Sequence, residues 1–145
     1  MKYNLGVCRI IPPKTIGDIQ PLDRYFFRQW KNFKQRIYDR LAIDEIDIDI
    51  TTRNNILKMH SLIHNQLTPR KFSYMIKNSW YLSGYIRNDL GPFQNVQDVC
   101  FSFDDGSCSV STCDDFAFIC CSHCYRVLCF VNFLSLIINM SKIQF

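Results

Sequence analysis

Seven of the eight cysteines fall between Cys100 and Cys129, and only Cys8 stands apart. Thiols gathered in this way form either disulfides or metal sites. The opening Met-Lys-Tyr-Asn-Leu-Gly has no apolar core of the kind a secretion signal needs, so reduced thiols and metal ligation are the expected reading. Cys121-Ser-His-Cys124 is a Cys-x-x-Cys turn, which presents two thiolates to one ion, and a tetrahedral Zn²⁺ takes four nitrogen or sulfur ligands. One site could use Cys108, Cys113, Cys121 and Cys124. Cys129 could replace one of these or start a second site. The opposing reading is a set of reduced thiols packed as small apolar groups. His60 and His64, four apart, could share a helix face, but no third ligand accompanies them, and ordinary packing is expected.

Charge supplies the other chemistry. The net charge of +4 is mild. Its distribution is not: Arg24, Arg28, Lys31, Lys34, Arg36 and Arg40 meet one acidic residue, Asp39, before the acidic run Asp44, Glu45, Asp47 and Asp49. A basic block can contact phosphates, and Arg28, Lys31 and Lys34 are the nucleic-acid-binding candidates. It can equally be the solvated face of an amphipathic helix. Asp23 sits where that helix begins. A carboxylate there complements the free N–H groups of the first turn, or, given partners, helps to hold a divalent cation.

The elements that must position these groups read as follows. Residues 5–11 suggest a short strand ended by Pro12 and Pro13. After Pro21, the apolar positions Leu22, Phe26, Trp30, Phe33, Ile37 and Leu41 step by three or four, which predicts one long amphipathic helix. The aromatics Tyr25, Phe26, Phe27, Trp30 and Phe33 follow helical spacing, so they pack rather than stack on bases. Ile43 to Ile50 alternates Ile with acidic residues and reads as either a strand or an extended linker. A second helix is expected over Arg53 to Leu67. Thr68 and Pro69 signal a third, running to about Ser83 and stopped by Gly84. The loop Asn88 to Asn95 is the candidate boundary. Beyond it, Phe118-Ile-Cys and Arg126-Val-Leu-Cys flank the Cys-x-x-Cys turn as hairpin strands. Val127 to Ile138 is mostly apolar, but a spanning helix needs about 20 apolar residues, and extending it takes in Arg126 and His123. A membrane partner is therefore not expected.

Residues 11–31 resemble the final catalytic motif of DDE-superfamily endonucleases, the transposases of the pogo and mariner type. The matching residues are Pro12, Pro13, Thr15, Gln20, Pro21, Leu22, Asp23 and Lys31. Arg53 to Leu67 and Lys71 to Tyr85 are similar to segments of transposon-derived animal proteins. The resemblance implies an RNase H-like parent fold, with Asp23 as the third acidic residue of a Mg²⁺-binding triad. Paired divalent ions activate the attacking oxygen and neutralise the leaving one. With one carboxylate of three, the chain is expected to be inactive by itself. The resemblance also implies DNA or full-length transposase relatives as partners, and a nuclear location. In relatives a His is expected shortly after the position of Cys129, where this chain has Asn132. Residues 135–145 depart from the family pattern, as translation past a frameshift would make them.

The expected class is α+β: the last strand and helix of an RNase H-like domain (1–50), a helical segment (51–87), a small Cys-rich β module (98–134) and the aberrant tail. Competing functions are a transposase remnant, a domesticated zinc-binding interaction module, and a small membrane-anchored protein. Without the sheet it would dock on, the first helix is expected to expose apolar surface and lower solubility.

Overall fold

The computed structural model describes residues 20–104 and 106–140, with side chains described as far as residue 135. The strand expected over 5–11 and the residues Pro12, Pro13 and Thr15 lie outside that range. The fold is α+β and mostly helical, with one small antiparallel sheet in the Cys-rich region.

After Pro21 the chain makes a π turn, Leu22–Phe26, that runs directly into α1, Phe27–Ile43. Gln29, Phe33, Ile37 and Leu41, each four residues from the next, are buried along one face. The helix stops at Asp44, whose carboxylate accepts from Arg40 Nε at 2.8 Å. Glu45 then takes a left-handed φ of 49°. Residues 46–49 form an extended linker with no ladder partner among the described residues. Of the two readings for Ile43–Ile50, the linker holds, because four exposed acidic groups gain nothing from burial in a sheet. Asp49 closes it, accepting from both the backbone N and the hydroxyl of Thr51 at 2.8 and 2.6 Å.

Helix α2, Arg53–Leu67, buries Met59, Leu62, Ile63, Gln66 and Leu67. Thr68 does not cap the next helix. Its hydroxyl donates backward to the carbonyl of Asn65 at 2.7 Å, satisfying an orphan acceptor at the end of α2. Pro69 is extended, with ψ 145°, and a 3₁₀ turn, Arg70–Phe72, leads into α3, Ser73–Leu82. Gly84, at φ 78°, ends α3 as expected. Helix α3 packs against the π turn and partly covers the start of the first helix.

Asn95 and Asp98 form a capping box, each side chain accepting from the other's backbone at 3.0 Å, and start α4, Val96–Cys100. Strands β1, Ile119–Cys120, and β2, Val127–Leu128, pair antiparallel with Ile119 opposite Leu128 and Cys120 opposite Val127. They fall where the hairpin flanks were predicted. The chain then enters α5, Phe130–Met140. No helix among the described residues is long and apolar enough to cross a membrane.

One buried cluster runs through all of this, from Phe33, Ile37 and Leu41 past Met59, Ile63 and Phe72 to Val99, Ile119, Leu128 and Phe133. Phe33 meets Phe101 edge-on at 5.2 Å and Phe133 at 6.3 Å. Phe118 continues the series to Phe130 at 4.9 Å. Such edge-to-face pairs add to the area they bury. The apolar stripe expected to lie bare on α1 is thus largely covered, because residues of the Cys-rich region pack against it. Leu22 and Phe27 at its start, each 39% exposed, and Ile43 at its end, 71% exposed, remain open.

Phe33→Ala should cost about 3–5 kcal/mol, the usual range for deleting a fully buried Phe. Phe116→Ala, at a position 76% exposed, should stay within about 0.5 kcal/mol. Urea denaturation of both variants checks the contrast.

Candidate metal centre

Local backbone bonding brings three thiols together. The loop after Phe103 folds back on itself through the Ser107–Phe116 bridge, with Ala117 N donating to Gly106 O at 2.7 Å and Cys108 N to Asp115 O at 3.1 Å. Cys113 N donates to Val110 O at 2.9 Å, so Cys108 and Cys113 flank one tight turn. Ser109 N donates to Val127 O at 2.8 Å and its hydroxyl accepts from Val127 N at 3.2 Å. That pair fastens the turn to β2, and two residues later the chain delivers Cys129 immediately before α5. The Sγ atoms of Cys108, Cys113 and Cys129 all lie within 4.8 Å of one another. Cys113 and Cys129 are 3.6 Å apart.

This spacing fits a zinc–thiolate site. Zn–S bonds of about 2.3 Å place two sulfurs of a tetrahedron about 3.8 Å apart. The surroundings also suit thiolates. Asn132 donates twice, from its backbone N to Cys129 Sγ at 3.4 Å and from its side-chain Nδ2 to Cys108 Sγ at 3.3 Å. Burial pushes the Cys108 thiol up, but the N–H groups of Cys129 and Val110, the Asn132 amide and Cys113 outweigh it and bring it down to about 7. Cys113 behaves oppositely. The N–H of Asp115 draws it down, while burial and the neighbouring Cys129 and Cys108 thiols carry it up to about 11. Three crowded thiols cannot all ionise without a compensating cation.

Cys121 and Cys124 stand outside this group, so of the ligand sets open in the sequence the geometry selects the one containing Cys129. The Cys-x-x-Cys turn does have the form expected of a metal knuckle. Cys121 N donates to Arg126 O at 2.8 Å, Tyr125 N to Cys121 O at 2.9 Å, and Tyr125 takes φ 57°. Burial raises the Cys121 thiol, yet the N–H groups of Cys124 and His123, with Gln66 and the Cys124 thiol, lower it on balance. Here the turn docks onto the end of α2. Ser122 N and its hydroxyl donate to Gln66 Oε1 at 2.9 and 3.0 Å, the same hydroxyl donates to Gln66 O at 2.7 Å, and His123 Nε2 lies 2.7 Å from Asn65 O. Sequence reasoning missed this junction. Its signal was Gln66, a lone amide within the apolar stripe of a helix.

Around the same turn, burial and the Cys120 thiol drive Cys100 up to about 12 despite the nearby Lys71 ammonium. Lys71 Nζ is buried without a hydrogen-bond partner among the described residues and rests 3.5 Å above the Tyr125 ring, where the π face offsets part of its lost hydration. The seven described cysteines are free thiols.

The remaining candidates fall elsewhere. His60 and His64 pack on Trp30, with ring centroids at 5.7 and 6.4 Å, which is the packing role expected of them. Arg28 and Lys31 are exposed on the face of α1 opposite Phe33 and Ile37, and Lys34 lies at its flank, 5.2 Å from the Tyr38 ring. Asp23 is half-buried in the π turn. Among the described residues it joins no group of metal-capable side chains, and a single carboxylate does not fit a pair of Mg²⁺ ions.

Residues 80–140 match the Tc5 transposase C-terminal domain family. The matched segment contains the hairpin and all three thiols, and it supports a transposase-derived protein. It reaches through 135–140, the first part of the tail expected to be aberrant. No curated protein and no solved structure matches the chain.

Serine at position 108, 113 or 129 should abolish stoichiometric zinc uptake, whereas Cys124→Ser should retain it; metal analysis after gel filtration reads the difference. Zinc affinity should rise with pH towards about 11 as the Cys113 proton becomes easier to displace, and fall more steeply below about 7, where Cys108 also protonates. The sign follows from protons and metal competing for the same sulfurs.

Proposed function

We propose that this chain is the carboxy-terminal part of a DDE-type transposase-derived protein, in which Cys108, Cys113 and Cys129 hold Zn²⁺. The observation that carries this reading is the convergence of three thiols inside the segment that matches a transposase C-terminal domain. Bound zinc would fasten the 106–117 loop to the start of α5, next to a ladder only two residues deep. Asp23 takes the third acidic position by its motif, Gln20-Pro21-Leu22-Asp23, and by its place at the start of the first helix. Mg²⁺ would belong to the complete triad of a transposase. These 145 residues acting alone should not cleave DNA.

Arg28 and Lys31 point away from the core, and with Lys34 they form the surface offered to DNA phosphates; a nuclear location is the one consistent with that role. Full-length transposase relatives are the second class of partner, since Leu22 and Phe27 beside Asp23 keep apolar surface exposed. A zinc-stabilised protein-interaction module is the alternative, favoured by Tyr74, Trp80, Leu82 and Tyr85, which expose 42–57% of their surface along and just beyond α3.

Two assays test the proposal. Purified chain with Mg²⁺ should leave supercoiled plasmid intact, and Asp23→Ala should change nothing; Asp23-dependent nicking would overturn the assignment. DNA affinity should fall with salt, and neutralising Arg28, Lys31 and Lys34 should reduce the log–log slope by about 0.9 for each phosphate that is no longer paired with a cation. An unchanged slope would favour the interaction module.

A further inference from the structure

Among the described residues, three thiols leave a four-coordinate ion one ligand short, and the residue hydrogen-bonded to two of these sulfurs is Asn132. Its position is fixed twice over, by its backbone N on Cys129 Sγ at 3.4 Å and by Nδ2 on Cys108 Sγ at 3.3 Å. A side-chain amide is a hard, neutral donor through its oxygen, a poor match for an ion already bound by three soft thiolates. As an N–H donor to a thiolate, the same amide makes a charge-assisted bond. Among the described residues, the Asp115 carboxylate lies 3.6 Å from Cys113 Sγ but outside the group formed by the three sulfurs. Cys121, with its N–H donors and Gln66, is committed to the junction with α2.

Building on the zinc reading above, we propose that the Cys108–Cys113–Cys129 site keeps an open fourth position that accepts one monodentate nitrogen or sulfur donor from outside the site, with Asn132 serving as a hydrogen-bond donor to Cys108. Closed four-ligand sites are structural, while an open position is what allows a zinc ion to take an exogenous ligand. The chemical class is that of an imidazole or a thiol, as a histidine or cysteine of a partner would supply.

The test uses the full chain loaded with Co²⁺, whose visible spectrum reports the ligand set, and imidazole as the probe. Wild type should show sulfur-to-cobalt charge transfer and a ligand-field envelope that shifts saturably with imidazole. Asn132→His should fill the position, tighten Co²⁺ binding by more than about tenfold, and lose the response. Asn132→Ala, which keeps the three thiols, should retain it, so the outcome does not depend on the histidine variant folding. Co²⁺ uptake with a spectrum blind to imidazole would overturn the open position alone. A chain that binds neither Co²⁺ nor Zn²⁺ would overturn the zinc reading and this inference together.

Discussion

Three sulfur atoms held within 4.8 Å of one another set the terms for the carboxy-terminal half of the molecule. Among its described residues, the segment from Phe101 to Cys129 has one hairpin with two residues in each strand and no helix, so its backbone bonds alone define little. What shapes it is the loop between Gly106 and Ala117, pinned to β2 by Ser109 and aimed so that its two thiols face Cys129. The arrangement holds an electrostatic conflict. Cys108 is eased towards ionisation by four N–H and S–H donors, while Cys113, although drawn down by the N–H of Asp115, resists because burial and the Cys129 and Cys108 thiols favour its protonated form. A cation removes that conflict.

Helix α1 depends on this region more than its sequence suggests. Phe33 meets Phe101 and Phe133, both supplied by chain more than 65 residues away along the sequence. Arg36 lies across the Phe101 ring at 4.3 Å and donates to Gln97 at 2.5 Å. The basic face and the aromatic face of one helix are therefore set by the same packing, and Arg28 and Lys31 face outward because Phe33 and Ile37 face in.

Helices α1, α2 and α3 were legible because their apolar residues recur at helical spacing over several turns, and because Gly84 is a local stop signal; the single-turn α4 was missed, although its Asn95–Asp98 box is local too. The hairpin was legible from the Cys-x-x-Cys turn between two β-prone runs. Which sulfurs meet was not. The Cys-x-x-Cys spacing pointed to Cys124 before Cys129, whereas in the structure that turn docks onto Gln66 through Ser122 and Cys129 meets the loop. The capping role expected of Thr68 failed for a related reason, since its hydroxyl serves the carbonyl behind it before the N–H groups ahead. The cover over α1 was equally hidden, because periodicity tells which face is apolar but not what lies on it.

Gln66 lies outside residues 80–140, yet its amide and carbonyl receive Ser122. Recombination that carried the matched segment into a new host would leave that serine buried without acceptors and strip Phe133 of Phe33. The segment is thus not portable by itself. Replacing Gln66 by an apolar residue would take the side-chain acceptor from the Ser122 N–H, while the serine hydroxyl would keep the main-chain carbonyl at that position.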